Sequence, residues 1–122
     1  MNTYRGSCHC GAVTFEADLD PAQAGSCNCS ICTKKGAVHQ RVTQDRFRLL
    51  SGQDDLQLYQ FNKKIARHQF CSHCGIHTFA NPRSAPDQVV INLRCLDEFD
   101  DFAQTPLNLI DGRNWEQHFK DQ

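Results

Sequence analysis

Residues Ala12 to Asp18 alternate strictly, with Val13, Phe15 and Ala17 on one side and Thr14, Glu16 and Asp18 on the other. A period of two sets one face of a strand against a core and leaves the other in water. Short apolar runs recur after it at Ala37 to Val42, Phe47 to Leu50, Leu56 to Phe61, Ala66 to Phe70, Ile76 to Ala80 and Val89 to Leu93. The stretches Ser51 to Asp55, Asn62 to Lys64 and Asn81 to Asp87 between them have turn-forming compositions. Short strands at regular spacing predict a mostly β, antiparallel domain. Asp20, Pro21 and Gly25 mark a loop, and Ser26 to Gly36 reads as a compact cysteine-bearing segment, too short and polar to be an element of its own. Ser30 stands where it could cap a single helical turn ending at Gly36. Beyond Leu96 the periodicity fades, and Trp115 to Lys120 is a candidate short terminal helix.

Length and charge narrow the class. A chain of 122 residues with 39% hydrophobic content is expected to form one domain spanning 1–122, with a modest core. Met1 to Gly6 is polar and carries no apolar run, so neither a secretory signal nor a membrane span is read and a cytoplasmic location is expected. The formal charge of −1 becomes more negative once thiols ionise on a metal, which argues against a protein that wraps nucleic acid. Basic residues do cluster at Lys34 and Lys35, at Arg41, Arg46 and Arg48, and at Lys63, Lys64 and Arg67, and the plain reading of these is solvated faces of strands and turns.

Eight cysteines in so short a chain call for a chemical use. In a reducing compartment metal ligation is favoured over disulfides, and pairs separated by one residue, such as Cys8 with Cys10 or Cys27 with Cys29, do not reach unstrained disulfide geometry with each other. Cys71-Ser72-His73-Cys74-Gly75 has the form of a zinc knuckle, in which two thiolates grip one ion from a tight turn that glycine lets the chain leave. A knuckle supplies half a tetrahedron. Cys8-His9-Cys10-Gly11 is a candidate for the other half.

Cys27-Asn28-Cys29-Ser30-Ile31-Cys32 carries three thiols in six residues. Three protein ligands leave one tetrahedral position, and zinc sites that do chemistry are built with such a position whereas closed four-ligand sites are structural. The alternative is that His39, His68, His73, His77 or Cys95 closes a second structural site. Cys95 follows an apolar strand and reads as a small packed residue. An iron–sulfur centre is disfavoured because its usual cysteine spacings differ from Cys-X-Cys-X2-Cys.

Gly6-Ser7-Cys8-His9-Cys10-Gly11-Ala12-Val13-Thr14-Phe15-Glu16, Cys27-Asn28-Cys29-Ser30-Ile31-Cys32 and Phe70-Cys71-Ser72-His73-Cys74-Gly75 together resemble the glutathione-dependent formaldehyde-activating family. Three motifs in order over nearly the whole chain are far more specific than one Cys-X2-Cys. The segments Pro82-Arg83-Ser84, Cys95-Leu96-Asp97-Glu98 and Asp111 to Glu116 look more like that family's centromere protein V branch. The resemblance implies a small antiparallel β-tent with short helical turns and two zinc ions per chain. One zinc is structural on Cys8, Cys10, Cys71 and Cys74, and the other is catalytic on Cys27, Cys29 and Cys32. It also implies a carbon–sulfur lyase that joins glutathione, or a related thiol, to formaldehyde or another small aldehyde, or that cleaves the adduct. Lys34, Lys35 or Arg41 could steer such an anionic thiol. The centromere protein V branch points instead to cytoskeletal or chromatin association, and the competing class is a non-enzymatic interaction module in which zinc only replaces missing core.

Overall fold

The alternation around Val13 produces a strand, and its neighbours show what the alternation serves. In the computed structural model, which describes residues 1–100 and 106–118, β2 (Thr14–Leu19) buries Phe15, Ala17 and Leu19 completely. On one side it pairs antiparallel with β1 (Asn2–Ser7), and on the other with β5 (Phe47–Ser51), forming a three-stranded sheet. Asn2–Ser7 has no apolar period that a sequence reading could follow. It is held in extended form by its partner, through backbone pairing and cross-strand contacts such as Thr3 Oγ1 donating to Asp18 Oδ1 at 2.7 Å. On the solvent side Arg48 bridges Glu16 at 2.7 Å and Asp18 at 2.9 Å, so this member of the expected basic clusters is spent on tying β5 to β2.

The second sheet has seven strands, in the order β10 (Asn108–Ile110), β3 (Gly25–Cys27), β4 (His39–Val42), β9 (Val89–Asn92), β8 (His77–Asn81), β7 (Arg67–Cys71) and β6 (Leu56–Tyr59). Each of the six apolar runs thus contains a strand, with ends moved by one or two residues. The mostly β, antiparallel expectation holds, and among the described strand pairings β10 alone runs parallel, to β3. A chain segment some eighty residues away returns to the edge of the sheet, and the run Asn108–Ile110 is too short to announce its direction. Phe47 lies between Phe15 and Phe79, with ring centroids 5.7 and 4.8 Å away, and joins the two sheets across a core of Tyr4, Leu19, Val42, Val89, Ile91 and Leu93.

Ser26 to Gly36 holds more structure than its composition suggests: β3 ends at Cys27, and helix α1 (Ser30–Lys35) follows and stops at Gly36 in the left-handed region. The cap is Cys29, not Ser30, and its side chain makes no capping bond, which leaves the sulfur for other use. Helix α2 (Trp115–His118) covers the first part of the expected terminal helix; Phe119 and Lys120 lie outside the described residues. Among the described residues no helix is long and apolar enough to cross a membrane.

Candidate metal centres and an adjoining cavity

Two turns of the same form bring the first four cysteines together. After β1 the chain folds back so that Gly11 N–H donates to Cys8 O and Cys8 N–H to Val13 O; after β7, Gly75 N–H donates to Cys71 O and Cys71 N–H to Ile76 O. Gly11 and Gly75 adopt φ of +83° and +76°, a region that a side chain disfavours. The sulfurs of Cys8, Cys10, Cys71 and Cys74 all lie within 4.8 Å of one another. Cys8 and Cys10 are 3.6 Å apart, and Cys10 and Cys71 are 3.7 Å apart. A tetrahedron with metal–sulfur bonds of about 2.3 Å has edges of about 3.8 Å, so the spacing fits one shared ion, and it is far outside disulfide length.

Backbone N–H groups point at these sulfurs, from Val13 to Cys8 at 3.3 Å and from His73 to Cys71 at 3.4 Å. Such donors favour the thiolate. Hydrogen bonds from the Cys10 and Ile76 backbone bring Cys74 down to about 6. Cys10 shows the opposite balance. Its largest influence, a hydrogen bond from the Ala12 backbone, lowers it, yet burial and the neighbouring sulfurs outweigh that and hold it at about 11. Sulfurs gathered this closely repel one another once ionised, and a dication would stabilise them together. Cys8 and Cys71 are buried with Val13 in a small cluster against Leu49 and Leu56. This cluster sits where the three-stranded and seven-stranded sheets meet.

The second group is Cys27 at the end of β3, Cys29 at the helix cap and Cys32 one turn into α1, again with sulfurs within 4.8 Å of one another. Contacts with Cys27 and Cys32 pull Cys29 down to about 2, contacts with Cys27 and Cys29 push Cys32 up, and the contact with Cys29 raises Cys27 against the opposing one with Cys32. Among the described residues no histidine, acidic side chain or further cysteine joins the group. None of the alternative fourth ligands joins it: His39 and His68 line the same cavity without entering the group, His68 and His77 both bond Lys35, His73 pairs with Asp55 at 2.7 Å, and Cys95 donates to His77 O at 3.4 Å. Burial pushes the Cys95 thiol up to about 12, in keeping with a packed residue.

The two groups differ in what surrounds them. Cys27, Cys29 and Cys32 line a cavity of about 460 Å³, whereas none of the first four cysteines does. Its wall carries Lys35, Arg41, Lys63, Lys64, Arg83 and Arg113 and, among the described residues, no acidic side chain. Phe61, Ile65, Ile31, Val90, Ile110 and Trp115 supply apolar surface. Of the three expected steering residues, Lys35 and Arg41 line this wall, and Lys34 is exposed outside it. Arg83 lies 3.7 Å from the Trp115 ring centroid and 3.2 Å from Glu116.

The segment 108–118 braces this site, and spacing arguments on the cysteines alone do not reveal it. β10 pairs with β3. Beyond it, Asn28 donates to Asp111 Oδ1 at 2.8 Å and accepts from the Arg113 backbone N–H at 3.0 Å, while Arg113 Nε donates to Asn28 O at 3.0 Å. A Cβ on Gly112 would lie 2.5 Å from Cys29 Cβ and 2.7 Å from Cys27 Sγ. Gly112→Val is therefore expected to displace the three-cysteine loop and lower metal content by one ion per chain, with the melting temperature changed by only a few degrees because the first cluster is remote. Metal analysis beside thermal unfolding checks this, and undiminished metal in the variant contradicts it.

The sequence profile described as glutathione-dependent formaldehyde-activating enzyme matches residues 3–108. A crystal structure of a Rhodobacter sphaeroides protein, determined as a structural genomics target, is similar with a TM-score of 0.77 and 36% identity, covering 85% of this chain and 99% of that one. The profile spans both cysteine groups and all strands but the last, and with the two clusters as found, the chain belongs to the glutathione-dependent formaldehyde-activating family.

Proposed function

We propose that the protein is a zinc-dependent carbon–sulfur lyase, joining glutathione or a related acidic thiol to formaldehyde or another small aldehyde and cleaving the same adduct. Cys8, Cys10, Cys71 and Cys74 hold the structural zinc, and Cys27, Cys29 and Cys32 hold the catalytic one. The observation that carries this reading is the contrast between the clusters: the one with three thiols opens on a cavity that is basic and, among the described residues, free of acidic side chains, whereas the one with four lines no part of that cavity and has Cys8 and Cys71 buried at the junction of the sheets. Thiolate donors suit zinc, and the sulfur spacing accommodates it at both sites. Zinc bound at the second site supplies stabilisation of a substrate thiolate and polarisation of a carbonyl oxygen.

The chain's own residues supply the rest. Six basic side chains draw in and seat the carboxylates of an acidic thiol, which meet no carboxylate among the described residues of the wall. Phe61, Ile65 and Trp115 give the wall apolar surface against which the carbon skeleton of the adduct packs. In the joining direction the thiol gives up its proton, and sulfur bonds to the carbonyl carbon. The C=O π pair moves to oxygen, which ends protonated, so no oxidant or reductant is consumed. The zinc-loaded protein should consume free formaldehyde in the presence of glutathione faster than the spontaneous reaction, and should not do so with the serine-containing analogue of the tripeptide. Aldehyde loss at the spontaneous rate only would refute the lyase assignment.

A further inference from the structure

Among the described residues two buried side-chain polar atoms have no hydrogen-bond partner, His68 Nε2 and Ser84 Oγ, and both residues line the cavity of the three cysteines. A buried polar atom without a protein partner costs free energy, and native structures keep few of them, where a catalytic role, strain or a bound water, ion or ligand accounts for each.

The ring nitrogens can be assigned from their neighbours. Lys35, at the end of the helix that carries Cys32, places Nζ 3.1 Å from His68 Nδ1 and 3.1 Å from His77 Nε2. Burial lowers Lys35 and the three nearby sulfurs oppose that by favouring its charged form; an ammonium only donates, so both of these nitrogens accept, and each ring keeps its proton on the other nitrogen. For His77 that proton has a use, because the ring bonds the Gln69 backbone in a way that favours protonation, as donation to a carbonyl does. Burial first, and then the Lys35 charge, hold His68 down at about 4 and His77 at about 3, so both rings are neutral. The remaining N–H is that of His68 Nε2. The ring is 8% exposed and is stacked under Phe61 with centroids 5.8 Å apart.

We propose that His68 Nε2–H donates a hydrogen bond to the oxygen on the carbon that bonds to sulfur, and that Lys35 is the positioning residue that fixes the tautomer needed for it. This rests on the lyase reading. During addition the carbonyl oxygen gains the electron pair of the breaking π bond. A neutral imidazole N–H on a buried ring stabilises that charge without giving up its proton, and the proton released by the thiol balances the product hydroxyl.

The test compares two ligands that differ only at this oxygen. S-(hydroxymethyl)glutathione carries a hydroxyl where S-ethylglutathione carries a methyl. Calorimetric titration of the zinc-loaded protein, with formaldehyde alone as control, should show the hydroxyl ligand bound on the order of tenfold more tightly. His68→Phe should erase that preference while leaving S-ethylglutathione affinity, zinc content and melting temperature close to wild type. His68→Gln, which carries an N–H near the same position, should recover part of the preference and of the turnover. Equal binding of the two ligands by the wild-type protein overturns the proposal and leaves the lyase reading standing. Parallel loss of both ligands in His68→Phe, with no recovery in His68→Gln, also overturns it by making the role structural. Failure of the wild-type protein to bind either ligand defeats the lyase reading, and the proposal with it. Should His68→Phe fail to fold, the wild-type comparison alone decides.

Discussion

Cys71→Ser should leave the protein without a stable fold at physiological temperature. Cys71 is fully buried, ends β7, and faces Cys8 and Cys10 across the gap between the sheets. Its backbone also holds the turn, through bonds with Ile76 and Gly75. Structural zinc contributes about 10–16 kcal/mol of binding free energy to small domains, against a net stability of about 5–15 kcal/mol. Losing one of four ligands removes enough of that contribution to bring the balance near zero. Serine also leaves a buried hydroxyl in place of a sulfur that accepts the His73 N–H. A loss of about 5 kcal/mol corresponds to a fall in melting temperature of roughly 20 °C in a chain of this size. Thermal unfolding with metal analysis checks the expectation. A well-folded variant with unchanged zinc would show that Cys71 is no ligand.

Both cysteine groups were legible in the sequence because sulfur ligation needs little context: two thiols in a tight turn with a following glycine suffice. The pairing of Cys8 and Cys10 with Cys71 and Cys74 was not derivable from spacing, since it depends on which strands lie side by side, and the family resemblance supplied it. The apolar runs became strands because Val, Ile, Phe and Leu at alternate positions mark a buried face. β1, β3 and β10 escaped for the opposite reason. Asn2–Ser7, Gly25–Cys27 and Asn108–Ile110 are held by partners: Asp18 for Thr3, Ile110 for Cys27, and the Ala24 carbonyl for the Asn108 side chain.

The basic clusters divided in a way composition could not show. Arg48 is an ion-pair partner on the small sheet, Lys34 is exposed, and Arg41, Lys63 and Lys64 line the cavity. Lys35 departs furthest from a solvated face, being drawn inward to two histidines. Those histidines, His68 and His77, were candidates only as metal ligands, and nothing in the spacing of positions 35, 68 and 77 connects them before β7, β8 and α1 are in place. Asn28 and Gly112 likewise acquire meaning only when the segment 108–118 folds over the three-cysteine loop. The resemblance of Asp111 to Glu116 to a family branch was the one signal that this segment mattered.

An external thiol should bind at Cys27, Cys29 and Cys32, and cobalt substitution measures this most directly. Tetrahedral cobalt on thiolates absorbs in bands that strengthen when a further thiolate joins. Adding glutathione to the cobalt-loaded protein should intensify these bands and saturate, whereas the serine-containing analogue, alike in charge and shape, should leave them unchanged. Cys32→Ala should abolish the response, because Cys32 is one of only three sulfurs in that group. It should keep the fold, because the four-cysteine cluster that joins the two sheets is untouched. If the wild-type spectrum does not change at saturating glutathione, the three-cysteine site does not receive a thiol, and the account of this protein as a thiol-adduct lyase is wrong.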